Sequence, residues 1–187
     1  MQGLDTAIFR AINNGPEGLA PIFLFFSEGN KWGWVRLFLL ALFIGLLWNK
    51  KTRWPAVAAM AAWLLANLIT DVLKAAFMMP RPTVALGDAN VRVAFLTSYG
   101  TASAHSANMA AVAFCLWKAG KGWGWGWTVV ALMTGLSRIY VGVHFPYQVV
   151  LGWACGVFAG LMVWQLGTSV KRMNSSPKRP DAETADC

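Results

Sequence analysis

Five long apolar runs, separated by three short basic or glycine-containing connections and one long polar loop, restrict this chain more than any other feature. They cover about residues 32–48, 54–79, 103–118, 123–142 and 146–167 of 187. Runs of this length fit the hydrocarbon layer of a bilayer. Backbone N–H and C=O groups there have no water to bond, so a spanning segment satisfies them internally as a helix. The expectation is an all-α integral membrane protein, a helical bundle of about five transmembrane helices. One domain over residues 1–170 is expected, followed by a disordered cytoplasmic tail at 171–187, which is polar and charged with two prolines.

The composition agrees, being 57% hydrophobic with only 13% charged residues. A net charge of +8 raises the question of nucleic acid. The basic residues fall mainly in the connections and the tail, which fits membrane topology, so no nucleic-acid partner is expected. Cys115 and Cys155 lie inside apolar runs and Cys187 is the last residue; with no framework or metal spacing, they read as packing residues or a free thiol. Asp5, Arg10 and Glu17 interrupt the first 30 residues, so these do not read as a signal peptide. Leu4, Ile8, Ala11 and Ile12 share a helical face there, which predicts a short interfacial helix ended by Asn14-Gly15-Pro16. Residues 21–27 form a second interfacial or re-entrant piece.

Lys50, Lys51 and Arg53, then Lys118 and Lys121, then Lys171, Arg172, Lys178 and Arg179 fall on one side of the layout. The positive-inside bias makes that side cytoplasmic. Lys31 and Arg36 run weakly against the pattern. The polar loop at 80–102 and the turn at His144 then share the outer face.

Polar groups from separate segments converge on that face. Lys74 closes the second run, and Asp71, three residues earlier on the same helix face, reads as its partner. Arg81 opens the long loop, and Ser103, Ala104 and His105 start the third helix. Arg138 and His144 close the fourth run and its turn. Ionisable groups are costly at membrane depth. Arginine forks and a helix start, capped by Thr101 or Ser103, suit a phosphate. Histidine can carry a proton or attack as a nucleophile. No carboxylate cluster suited to a hard metal ion occurs, so neither a metal nor another cofactor is expected. In the loop, Asp88 and Arg92 either pair with each other or meet a headgroup. Asn67 and Asn108 are expected to bond across helices.

Three spacings resemble the signatures of the type 2 phosphatidic acid phosphatase (PAP2) superfamily. The first is Lys74, six residues, then Arg81-Pro82; the second is Ala102-Ser103-Ala104-His105; the third is Ser137-Arg138, five residues, then His144. The resemblance implies a metal-independent hydrolase of lipid phosphates or diphosphates that works through a phosphohistidine. It makes His144 the nucleophile and His105 the general acid. Lys74, Arg81 and Arg138 become the phosphoryl cradle, with Ser103 and the backbone at Ala104 as further donors. Undecaprenyl diphosphate is the preferred substrate by analogy, ahead of phosphatidylglycerol phosphate, phosphatidic acid and lipid A. A lipid phosphotransferase and a lipid-binding protein with a degenerate site are the alternatives. The implied setting is a bacterial inner membrane, with membrane lipids as the other partners.

The chain departs from the family pattern in two of the motifs. Gln148 stands where an aspartate usually orients the nucleophilic imidazole; its amide oxygen can accept the ring N–H but supplies no charge. Asp71 or Asp88 are the candidates for a replacement carboxylate. Ala102 and Ala104 replace the usual proline and glycine, and alanine at 104 resists a positive φ.

Overall fold

The computed structural model describes residues 2–175. Within them the chain forms α1 (Gln2–Asn13), α2 (Ala20–Glu28), α3 (Gly33–Trp48), α4 (Arg53–Phe77), α5 (Pro82–Ala85), α6 (Ala104–Trp117), α7 (Lys121–Tyr140) and α8 (Pro146–Ser175), with no strand among the described residues.

Small side chains set the bundle. Ala58, Ala59, Ala62 and Ala66 of α4 pack with Ala107, Ala111 and Cys115 of α6 and with Cys155 and Ala159 of α8. Such residues let helix backbones approach without much side-chain ordering. A Cβ on Gly156 would lie 2.0 Å from the Ala107 carbonyl oxygen, so α8 needs hydrogen there. Ala154 does not join this seam and is exposed. Asn108 Nδ2 donates to Asn67 Oδ1 across α6 and α4 at 3.2 Å, the expected interhelical bond.

Outward faces are apolar, with Leu37, Phe38, Leu40, Leu64, Leu68 and Leu166 all exposed. In water such a surface would aggregate; in lipid it is the expected one. The five apolar runs each become a helix, but they are unequal. Two helical segments, Arg53–Ala85 and Pro146–Met173, are long and apolar enough to cross a membrane. The bent pair Glu17–Lys31 and Gly33–Trp48 makes a third if it counts as one span. Helix α6 has 14 residues, about 21 Å at 1.5 Å per residue, short of the ~30 Å hydrocarbon core. Its neighbours cover it, so it does not need the length of a lipid-facing span.

Helix α8 continues through Ser175, so residues 171–175, placed in the tail by sequence, are helical; 176–187 lie outside the described residues. The N-terminal segment is more than an interfacial float. Helix α1 buries Phe9 and Asn13 while Leu4 and Ile8, on the expected apolar face, point outward. Asn13 bonds the Asn90 and Tyr140 carbonyls at 2.8 and 2.9 Å. Arg10 pairs with Asp88, and Arg92 pairs with Glu17. Asp88 and Arg92 thus fasten the 80–102 loop to the N-terminal helices rather than to each other. Neither partner was foreseeable from spacing, because each lies about 75 residues or more away.

Candidate active site

The centre is the turn between α7 and α8. His144 and Arg138 are 3% and 2% exposed, and Arg81 is 4% exposed. Gln148 sits one helical turn after His144 and is fully buried. Its Oε1 lies 3.0 Å from His144 Nδ1 and accepts the Phe145 N–H at 3.1 Å. Its Nε2 donates to the Pro80 carbonyl at 2.9 Å and to the Tyr147 hydroxyl at 3.0 Å. Both donors and both acceptor positions of the amide are occupied. An amide oxygen can only accept, so Nδ1 carries the proton and Nε2 keeps its lone pair. Burial, then the positive charges of Arg81 and Arg138, hold the imidazole well below its ordinary pKa. His144 is therefore a neutral imidazole with its lone pair on Nε2.

That lone pair faces Arg81, whose Nη1 is 3.0 Å from Nε2 and donates to the Val143 carbonyl at 2.9 Å. Arg81 is fixed on its other side by the Ser98 carbonyl at 2.6 Å, the Ser98 hydroxyl at 3.0 Å and the Tyr99 carbonyl at 3.2 Å. Its position follows from Met78, the one non-glycine residue with positive φ among those described (φ 46°). This left-handed cap ends α4 and turns the chain into Pro80-Arg81. Gly100 permits the close packing, since a Cβ there would stand 2.8 Å from the Gln148 amide and 2.9 Å from Arg81 Cγ.

Ser103 is the N-cap of α6, accepting the Ser106 N–H at 3.4 Å. Its hydroxyl also accepts the Ser106 hydroxyl at 2.9 Å, and its own N–H donates to the Gln148 carbonyl at 2.9 Å. The second and third motif segments are thus joined through the main chain of Gln148. Ala104 is the first residue of α6 and does not have the positive φ that a glycine there would allow. Alanine fits because the chain enters the helix directly.

His105 follows on α6. It lies in the first turn of α6, and its ring is partly buried. Lys74 pairs with Asp71 at 3.0 Å. Asp71 and Asp88 are both engaged by other cations, and His144 is served by Gln148.

Arg138 has partners that sequence reasoning missed. Its Nη1 donates to Ser27 Oγ at 2.5 Å and to Glu28 Oε1 at 3.2 Å. Glu28 also pairs with Lys31. Helix α2 therefore ends against Arg138, a placement that agrees with the re-entrant alternative for this piece. A glutamate closing an apolar segment was the available signal, because such a group needs a cation. Arg138 Nε is buried with no hydrogen-bond partner. An unpaired buried donor on a guanidinium costs free energy unless a ligand completes it.

Residues 54–172 match the PAP2 superfamily. The chain is 25% identical over 167 residues to an undecaprenyl-diphosphatase of Sulfolobus acidocaldarius, covering 88% of this chain and 79% of that protein. It is 32% identical over 174 residues to a lipid A 4'-phosphatase of Porphyromonas gingivalis, covering 87% and 72%. The crystal structure of Aquifex aeolicus LpxE superposes with a TM-score of 0.73 at 28% identity, covering 87% of this chain and 95% of that one. The family match runs through every segment that carries the three motifs, and the relatives are similar over nearly the whole fold. The chain belongs to the PAP2 superfamily and is a phosphatase of the membrane helical-bundle type.

Proposed function

We propose that the site hydrolyses a lipid phosphate or diphosphate through a phosphohistidine on His144. The observation that carries this is the neutral His144 ring, anchored at Nδ1 by Gln148 and presenting Nε2 beside Arg81. For attack, Arg81 Nη1 turns from the Nε2 lone pair to a phosphoryl oxygen. Arg138 Nε takes another oxygen, and Lys74 with the α6 N-terminus completes the cradle. Preplaced donors act where charge develops on the equatorial oxygens. The Nε2–P bond forms as the P–O bond to the leaving group breaks. His105 gives its proton to the leaving oxygen, then takes one from water. That water attacks phosphorus, and the N–P electrons return to Nε2.

Ser103 caps the start of α6 by accepting from the Ser106 N–H and hydroxyl, which leaves its own O–H to donate to a phosphoryl oxygen beside the helix N–H groups. Undecaprenyl diphosphate is our preferred substrate, supported by the name of one relative; the lipid A 4'-phosphatase relative makes a lipid A phosphate the second choice. We place the site on the extracytoplasmic side of a bacterial inner membrane. The basic turns at Lys50–Arg53 and Lys118–Lys121 lie at the opposite ends of the same helices.

The test is phosphate release in detergent micelles. Wild type should act on a lipid phosphate or diphosphate with chelator present, and His144→Ala should not. Equal release by His144→Ala would remove His144 from the chemistry.

A further inference from the structure

Lys31 is a cation that membrane topology does not explain and that the three motifs do not include. It belongs to the short turn Gly29–Lys31 between α2 and α3. That end of the bundle is opposite to the one carrying the other basic turns. The turn is held from both sides. Arg36 Nε donates to the Asn30 carbonyl at 2.8 Å, so the second off-pattern cation braces the first. Glu28 then bridges inward, taking Lys31 on Oε2 and Arg138 on Oε1. Exposure grades along the bridge, with side chains 3% exposed at Arg138, 19% at Glu28 and 59% at Lys31. Lys31 therefore stands at the rim, one carboxylate outward from the buried guanidinium.

In the phosphatase reading above, His144 attacks from the buried floor, so in-line displacement sends the leaving group outward, to the rim side, with His105 as its proton donor. With a phosphate monoester, the leaving group is an alcohol that needs only the His105 proton. With a diphosphate, it is a lipid monophosphate that carries negative charge as the bridging P–O bond breaks. A rim cation stabilises that charge where it develops.

We infer that Lys31, positioned by Glu28, is a specificity-determining residue that binds the second phosphate of a lipid diphosphate. The inference rests on the phosphatase reading above. It also gives Lys31, with Arg36 bracing its turn, a reason for standing against the charge pattern of the basic turns.

A matched pair of probes tests it, farnesyl diphosphate and farnesyl monophosphate, which share a tail and differ by one phosphate. Phosphate release is measured on detergent-solubilised intact protein, and kcat/KM for the diphosphate is divided by that for the monophosphate. Lys31→Ala should lower this ratio about 10-fold or more, the size of one lost charge-assisted hydrogen bond. Lys31→Arg should restore most of it, and Glu28→Gln should lower it by freeing Lys31. An unchanged ratio in Lys31→Ala, with His144→Ala inactive on both probes, overturns the role of Lys31 and leaves the phosphatase reading standing. Wild type inert on both probes would overturn the two together.

Discussion

Replacing Gln148 by glutamate restores the family's negative charge at almost unchanged volume, and the structure says that it should do harm. One carboxylate oxygen could keep the bonds from His144 Nδ1 and Phe145 N–H. The other would replace Nε2, which now donates to the Pro80 carbonyl at 2.9 Å. Two acceptors would then face each other in a fully buried place. Leaving a buried carbonyl unpaired costs about 1–3 kcal/mol. Taking about 2 kcal/mol, and roughly 2–4 °C per kcal/mol for a chain of this size, the melting temperature should fall by about 4–8 °C. Tryptophan fluorescence in detergent is the assay, since the chain has 11 tryptophans. The direction with pH is also fixed. A protonated carboxyl can donate to the Pro80 carbonyl as the amide does, so the folded state raises the pKa of the introduced group. Its deficit should be small below the unfolded pKa of ~4.3 and should grow as pH rises through the raised folded value. At neutral pH, turnover should not exceed that of wild type. A Gln148→Glu protein that is as stable as wild type and turns over faster at neutral pH would refute the reasoning. It would mean that the pocket still fits a carboxylate.

Other positions give sharper local tests. Arg81→Lys loses a fork that meets Ser98, Tyr99, Val143 and His144, and kcat/KM should drop by about 30-fold or more in the phosphate-release assay. Gly100→Ala puts a methyl 2.8 Å from the Gln148 amide, so activity should fall even though no reacting group is removed; unchanged kcat would show that the loop can yield. Asp5 accepts the Tyr147 N–H at 3.0 Å near the start of α8, and burial raises its pKa. Ionisation there works against the fold as pH rises, so Asp5→Asn should melt no lower than wild type at neutral pH, while Asp5→Ala loses about 1 kcal/mol of capping. For orientation, Gly87 is exposed with open space around it. Gly87→Cys in a Cys187→Ser background should be labelled by an impermeant thiol reagent from outside the cell; labelling only from the cytoplasmic side would reverse the topology.

Much of this site could be read before any coordinates, because the motif residues stand at fixed offsets near helix ends. Lys74 and Asp71 share a turn of α4, and His144 and Gln148 share a turn of chain, so local geometry alone brings each pair together. What could not be read was set by distant segments. Ser27 and Glu28 meet Arg138 across 111 and 110 residues, and no periodicity encodes that docking. Helix α1 was expected to use its apolar stripe, but the burial of Asn13 against two backbone carbonyls decided its rotation. Five spanning runs were expected from hydropathy. The third, α6, is short for a lipid-facing span, and its alanines let the neighbouring helices enclose it. The unusual residue of the third motif, Gln148, turns out to make four hydrogen bonds, and its donor side was invisible from spacing.

The most direct test is to catch the phosphoryl group on the enzyme. Radiolabelled lipid diphosphate would be mixed with wild type and with His105→Ala, quenched in alkali within milliseconds, and the modified peptide sequenced by mass spectrometry. An alkali-stable, acid-labile phosphoryl group on the His144 imidazole is expected. It should persist longer in His105→Ala, where water is not activated. Phosphate release with no label on His144, or with label on another residue, would contradict the assignment of the nucleophile.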